Sequence, residues 1–297
     1  MVTPVTSTPP ASGRSQGRIS LARLAEIKRA GGKFSVLTCY DAAMARLMET
    51  AGVEVLLVGD TAAEVILGLS STREVAVEFM LTLTAAVRRG APTAVVMADL
   101  PYACRRDTSE TAVRWARRFL DETGCDVVKV ELTGGDAPLV EAMTAAGVPV
   151  VAHLGLLPQW IDPRTGYRAQ GKDAASAEQL IADARRLEEA GARVLLLEAV
   201  ADEVARHITL HTNLPVIGCV SGPHCDGTVV VLHDLLGLGG GHPPRGVQRY
   251  ANLAEELKAV FARYVADVHA GRFPTEKDAI HMSPGEMGKL LGHIGEA

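Results

Sequence analysis

A single α/β domain closed into a (β/α)8, TIM-type barrel is the fold class that the sequence predicts, and three observations carry it. Apolar runs of four to six residues recur along the chain, most of them separated by helix-length segments. These runs do not alternate apolar with polar residues, which marks strands covered on both faces and therefore a parallel sheet. About eight such units follow one another in 297 residues with no linker or break in composition, and strands alternating with helices at that count close into a barrel. An open doubly wound sheet is the rival arrangement.

Taken in order, residues 1–18 (MVTPVTSTPPASGRSQGR) are rich in Pro, Ser and Thr and read as a disordered leader. FSVLTCYD is the first strand. LMETAGVEVLLVGD holds a helix end and the second strand, closing at Asp60, and AVVMADLP is the third, with Asp99 near its end. LDETGCDVVKVE runs into Glu131, MTAAGVPVVAHLG into His153, and LEEAGARVLLLE into Glu198. In these segments Gly52, Gly124, Gly147 and Gly191 stand where a helix C-terminus wants a left-handed residue. LPVIGCV and TVVVLHDLLG complete the set. The connection from Val220 to Gly227 is too short for a helix, so the eight-fold regularity lapses there. The barrel is expected over residues 19–273 and a polar tail over 274–297.

Composition removes several classes of function. An apolar fraction of 47% excludes wholesale disorder, and a net charge of −5 argues against a general nucleic-acid binder. No apolar run approaches the roughly 18 residues needed to span a bilayer, and the N-terminus carries no signal-peptide core, so a cytoplasmic protein with no membrane partner is expected. Five cysteines without a CxxC pair do not make a disulfide framework, and Cys39 and Cys219 read as small buried hydrophobes. His224, Cys225 and His233 do not match a zinc spacing.

In such barrels chemistry sits at the C-terminal ends of the strands, where this chain places Asp41, Asp60, Asp99, Lys129, Glu131, His153 and Glu198. One acid after a strand is commonly a helix cap. Several around one rim repel one another unless a cation or a shared proton holds them, and a hard divalent ion such as Mg2+ resolves that conflict through oxygen ligands. Lys129 lies two residues before Glu131, so both point to the same face of one strand. Its readings are a salt bridge to a neighbouring acid, a clamp on an anionic substrate, or a Schiff-base nucleophile. His153 faces the same mouth, as a packed residue or a functional one. GLGGGHPPRG lacks the Lys-Ser/Thr ending of a P-loop and reads as a flexible loop.

LLVGD followed by Thr61, then ADLP, VKVE, VAHLGLLPQ, GYRAQGK, VLLLEAV, LPVIG and CDGTVVVLHDLLGL, in that order over roughly residues 20–275, resemble ketopantoate hydroxymethyltransferase. The resemblance implies a barrel of the phosphoenolpyruvate mutase type, Mg2+ dependence and a homo-oligomer, a decamer in the family. It implies transfer of a hydroxymethyl group from 5,10-methylenetetrahydrofolate to 2-oxoisovalerate, giving ketopantoate for pantothenate biosynthesis. Carried over by position, Asp60 and Asp99 hold Mg2+, with Glu131 nearby through water. Thr61 bonds the substrate carboxylate, Lys129 contacts the oxo acid and His153 lines the pocket. Glu198 is the base that forms an enolate. Asp60 and Asp99 thereby also border the substrate.

The chain departs from the family pattern in loops over that site. Cys219-Val220-Ser221-Gly222 stands where the family reads IGAG, one glycine fewer, and Leu132-Thr133 intervenes before Gly134-Gly135 where the family reads KLEGG. Glu64 brings a charge, and Trp160-Ile161-Asp162 replaces a small polar stretch. Two alternatives stay open: a paralogue doing the same chemistry on another 2-oxo acid, and a catalytically silent barrel that binds one.

Overall fold

The structure is a computed structural model that describes residues 17–105, 108–161, 168–239 and 246–295. Nearly all of the expected leader, and part of the GLGGGHPPRG loop, lie outside the described residues. The chain divides into two compact units, Met1–Tyr250 and Ala251–Ala297.

In the first unit eight parallel strands close into a barrel in sequence order. They are β1 (Phe34–Thr38), β2 (Val55–Val58), β3 (Val95–Asp99), β4 (Val127–Glu131), β5 (Val150–Gly155), β6 (Val194–Glu198), β7 (Val216–Cys219) and β8 (Gly227–Val230). The circle is completed by β1 pairing with β8, Val36 opposite Val229. Each expected strand is therefore present, and the doubly wound alternative falls. The helices between them are α1 (Leu21–Arg29), α2 (Ala42–Ala51), the short α3 (Ala62–Val65), α4 (Val77–Gly90), α5 (Ser109–Thr123), α6 (Ala137–Ala145), α7 (Ala174–Glu189), α8 (Asp202–His211) and α9 (Leu232–Leu236). No helix stands between β7 and β8. Gly52 and Gly124 end α2 and α5 in the left-handed region, at φ 101° and 71°, where a side chain would meet the carbonyl.

The alternation of strand residues sorts the core into two layers. Leu56, Val58, Val96, Ala98, Val128, Val130, Ala152, Leu195 and Leu197 face outward and join the helices in one cluster. Val36, Val55, Leu57, Val95, Met97, Val127, Val151, Val194, Leu196, Ile217 and Val229 face inward and fill the barrel, with Leu24 of α1 in the same cluster. The interior is a packed core, and each buried Val or Leu contributes about 1.5–3 kcal/mol. Because the inward parity continues to the strand ends, the interior stack on β3, β4, β5 and β6 changes at its top from aliphatic to Asp99, Lys129 and Glu131, His153, and Glu198. The strand register sets them side by side: Asp99 opposite Lys129, Glu131 opposite His153, and Gly155 opposite Glu198.

The second unit holds α10 (Leu253–His269), a 3-10 turn at Glu276–Asp278 and α11 (Glu286–Ile294). The expected boundary at 273/274 falls inside it. Among the described residues no helix is long and apolar enough to cross a membrane.

Candidate active site

A cavity of about 730 Å3 opens at the C-terminal end of the barrel, and Asp60, Thr61, Asp99, Lys129, Glu131, His153 and Glu198 all line it. Asp41 is not among its lining residues. Its carboxylate accepts a hydrogen bond from the Met44 amide at 2.8 Å and caps α2, the ordinary role of an Asp before a helix. Cys39 is buried as expected, but Cys219 is only partly so and borders the cavity.

The charges at the mouth form one chain of contacts. Lys129, the one lysine that is buried among the described residues, sets its Nζ 2.9 Å from Asp99 Oδ1 and 3.3 Å from His153 Nδ1. His153 Nε2 lies 3.3 Å from Glu198 Oε2, and its Nδ1 lies 3.9 Å from Glu131 Oε1. The Asp60 amide donates to Asp99 Oδ2 at 3.1 Å. An ammonium has three donors and no acceptor, so Lys129 donates to Nδ1. That assigns the remaining ring proton of a neutral His153 to Nε2, facing Glu198.

Burial shapes the titration of these groups. It pushes the Asp99 carboxyl up to about 7, with Lys129 pulling it back and Asp60 adding to the rise. Burial likewise holds Glu131 well above the usual carboxylate range. For Lys129 burial works against the charge, but Asp99, Asp60 and Glu131 together more than reverse it, and its pKa is raised. Of the readings offered for Lys129, the contact seen is the salt bridge to a neighbouring acid. Burial first and Lys129 second lower the His153 pKa, which favours the neutral imidazole.

Several residues here were not singled out in the sequence. Gln159 sits fully buried in the 3-10 turn Pro158–Trp160 after β5. Its backbone N–H donates to Glu131 Oε2 at 3.0 Å, and its side-chain Nε2 donates to Asp60 Oδ2 at 2.8 Å and to the Leu100 carbonyl at 3.1 Å. The only sequence signal was its place in LLPQ, next to the His153 strand. Tyr40 donates its phenol to Thr61 Oγ1 at 3.1 Å, and burial pushes that phenol up to about 12. Arg168 and Asp234 border the same cavity, as do Glu64 and Val220, two of the departures noted in the sequence.

Backbone strain marks the turns beside Glu198. Ala199, next to Glu198, has φ 50°, and Val220 has φ 54°, a costly setting for a β-branched residue. Ser221 braces that turn, accepting from the Val200 amide at 3.1 Å and donating to the Leu197 carbonyl at 2.8 Å. Gly155 at φ 94° lets β5 pass so close to β6 that a Cβ would collide with the Glu198 carbonyl. At the inserted loop, Asp136 accepts from Thr133 and pairs with Arg105 at 2.8 Å, while Arg105 also donates to the Glu131 carbonyl.

The donor set suits a hard cation. Asp60, Asp99 and Glu131 supply buried carboxylates around a single ammonium, and Asp99 Oδ1 has an ion pair but no well-aligned hydrogen bond. Among the described residues no three His, Cys, Asp or Glu side chains converge as one metal cage. Two carboxylates with open positions is a set that Mg2+ accepts, because it keeps waters or substrate oxygens as its other ligands.

Residues 18–276 match the family model for ketopantoate hydroxymethyltransferase. A 3-methyl-2-oxobutanoate hydroxymethyltransferase of Halalkalibacterium halodurans is 41% identical over 271 residues, covering 91% of this chain and 97% of that protein. Its namesake in Geobacillus kaustophilus is 42% identical over 266 residues, covering 90% and 95%. Among solved structures, phosphoenolpyruvate phosphomutase from Streptomyces platensis subsp. rosaceus has a TM-score of 0.59 at 15% identity, covering 93% of this chain and 96% of its own. Phosphonopyruvate hydrolase in complex with oxalate and Mg2+ has a TM-score of 0.56 at 12% identity with the same coverage. At such identities the likeness of these structures is one of fold.

Proposed function

The chain belongs to the ketopantoate hydroxymethyltransferase family, and from that premise we propose that it moves a hydroxymethyl group from 5,10-methylenetetrahydrofolate to 2-oxoisovalerate, with Glu198 as base and Mg2+ on Asp60 and Asp99. The observation that carries this reading is the joining of Asp60, Asp99, Lys129, His153 and Glu198 around one cavity at the barrel mouth. The relatives' names supply the oxo acid and the group transferred. A structure of the same fold holds oxalate and Mg2+ together, which is in keeping with a 2-oxo acid and a divalent ion sharing this site.

A magnesium ion held by Asp60 and Asp99 would supply a Lewis acid for the keto and carboxylate oxygens of the oxo acid. Glu131, which lines the same cavity, would join them through water. Lys129 offers its ammonium to the same anion. Thr61, with Tyr40 donating to its oxygen, has its own hydroxyl proton left for the substrate carboxylate. His153 lines the pocket beside Glu198, its Nε2 3.3 Å from Glu198 Oε2. Glu198 then takes the C3 proton. Water opens the methylene bridge, so that both bonds from the one-carbon unit to the folate nitrogens break, the two nitrogens take the water's protons and its oxygen leaves on formaldehyde. The electron pair left at C3 forms the new carbon–carbon bond to that carbon, and Glu198 returns its proton to the alkoxide. The aliphatic wall of Val65, Val200, Val229, Val230 and Val231 limits water around the carbanion.

A second reading keeps this chemistry and changes the oxo acid. It is favoured by Glu64 and Val220, departures from the family pattern that both border the cavity. Proton NMR of 2-oxoisovalerate in D2O, with enzyme and Mg2+ and with or without EDTA, tests both. Loss of the C3–H signal that EDTA stops and Glu198→Gln abolishes supports the proposal. Exchange only on a different 2-oxo acid moves it to the second reading. Wild-type exchange by Glu198→Gln would sink the assignment of the base.

A further inference from the structure

Asp60, Asp99 and Glu131 follow or end three separate strands, and one residue outside the strands contacts two of them, Asp60 through its side chain and Glu131 through its backbone N–H. Gln159 is 0% exposed. Its Nε2 faces two acceptors, Asp60 Oδ2 and the Leu100 carbonyl, which fixes the amide orientation, since the opposite flip would set oxygen against oxygen. Its backbone N–H holds Glu131 Oε2. The bond to Asp60 commits Oδ2 and the rotation of that carboxylate about its Cβ–Cγ bond. The bond to Leu100 ties the same amide to the residue that follows Asp99. The remaining atom, Oε1, is buried with no partner, so burying this amide carries a cost that its two donor bonds offset.

We infer that Gln159 is a positioning residue for the cation site, holding Asp60 and Glu131 in the orientation that leaves them facing the ion and its water. This rests on the reading that Asp60 and Asp99 hold Mg2+. The role is that of outer partners that orient ligating carboxylates, whose loss weakens metal affinity about 10- to 100-fold. Without the amide, Asp60 keeps its place in the chain but loses the contact that selects its rotamer. The carboxylate then spends part of its time turned away from the ion.

The test is a titration of Mn2+, read from the electron paramagnetic resonance signal of the free ion. It uses the full chain as wild type, Gln159→Met, Gln159→Asn and Asp60→Asn, each checked for cooperative thermal unfolding. Methionine keeps the length and removes both side-chain bonds. Asparagine keeps a buried amide but falls one methylene short of Asp60, so it stays readable if methionine is not tolerated. The expected result is wild-type binding, about 10- to 100-fold weaker binding in both Gln159 variants, no binding in Asp60→Asn, and turnover of the Gln159 variants that recovers toward wild type at saturating Mg2+. Gln159 variants that bind Mn2+ as wild type does, while Asp60→Asn does not, overturn the role of Gln159 and leave the metal site standing. Equal binding by wild type and Asp60→Asn overturns the metal site itself, and this inference with it.

Discussion

Replacing Lys129 with methionine keeps the aliphatic stem and deletes the ammonium that sits among Asp60, Asp99 and Glu131. The Nζ–Oδ1 separation is 2.9 Å, with side-chain exposures of 6% and 2%. At an effective dielectric near 20, unit charges about 3 Å apart attract by about 6 kcal/mol, which sets the ceiling. Removing one partner of a buried pair costs about 3–5 kcal/mol, because the other is left uncompensated. Asp99 has an escape, since burial already pushes its carboxyl up to about 7 and loss of Lys129 pushes it further. The folded chain then holds a proton that the unfolded chain, with an Asp pKa of about 3.9, does not. By linkage the extra loss relative to wild type therefore develops as pH rises above about 7, where the wild-type carboxylate ionises, and is gone at about pH 5. Urea unfolding of the metal-free protein followed by circular dichroism, at about pH 8 and about pH 5, reads this directly. The double variant Lys129→Met/Asp99→Asn should recover about 2–3 kcal/mol relative to the sum of the single changes. Strict additivity, or a Lys129→Met loss under about 1 kcal/mol at pH 8, would refute the buried-pair reasoning.

Four further outcomes follow from the geometry. Glu198→Gln should lose C3 proton exchange while retaining Mn2+ binding, because it removes the base and leaves Asp60 and Asp99 in place; unchanged exchange by NMR rejects it. His153, whose pKa is lowered by burial, stays neutral in the folded chain while the unfolded chain takes a proton below about pH 6.5. Its share of stability is therefore present above that pH and lost as pH falls, by up to about 1.4 kcal/mol per unit, and a pH series against His153→Gln should show the difference. Val220→Gly should raise the unfolding free energy by about 1 kcal/mol in urea titrations, since release of a β-branched residue from φ 54° outweighs the added chain entropy. Gly155→Ala should cost about 3 kcal/mol and slow exchange together, because the new Cβ meets the Glu198 carbonyl; normal stability in calorimetry would contradict that.

The eight strands were legible because a strand buried on both faces leaves a local trace: a short aliphatic run after a helix-ending glycine. The acids that end those runs were legible for the same reason, and the missing helix between β7 and β8 followed from segment length. What such local reading left open at each acid was its role. Asp41 and Asp60 look alike in sequence, each just after a strand, yet one caps a helix and the other enters the cavity. Gln159 gave almost no signal because its importance lies in a bond to Asp60, 99 residues away. Val220 looked like one more strand residue, and its left-handed φ came from the turn that joins β7 to the next segment.

By itself, then, the sequence determined the inward and outward parity of each strand, the clustering of polar residues at one end, and the family to which the chain belongs. Tertiary structure alone decided that Lys129 pairs with Asp99 rather than Glu131, that His153 sets its Nε2 3.3 Å from Glu198, and that a buried glutamine bonds Asp60. The reason is physical: side-chain alternation is a property of a single strand, whereas pairing depends on the register and curvature with which eight strands close on one another.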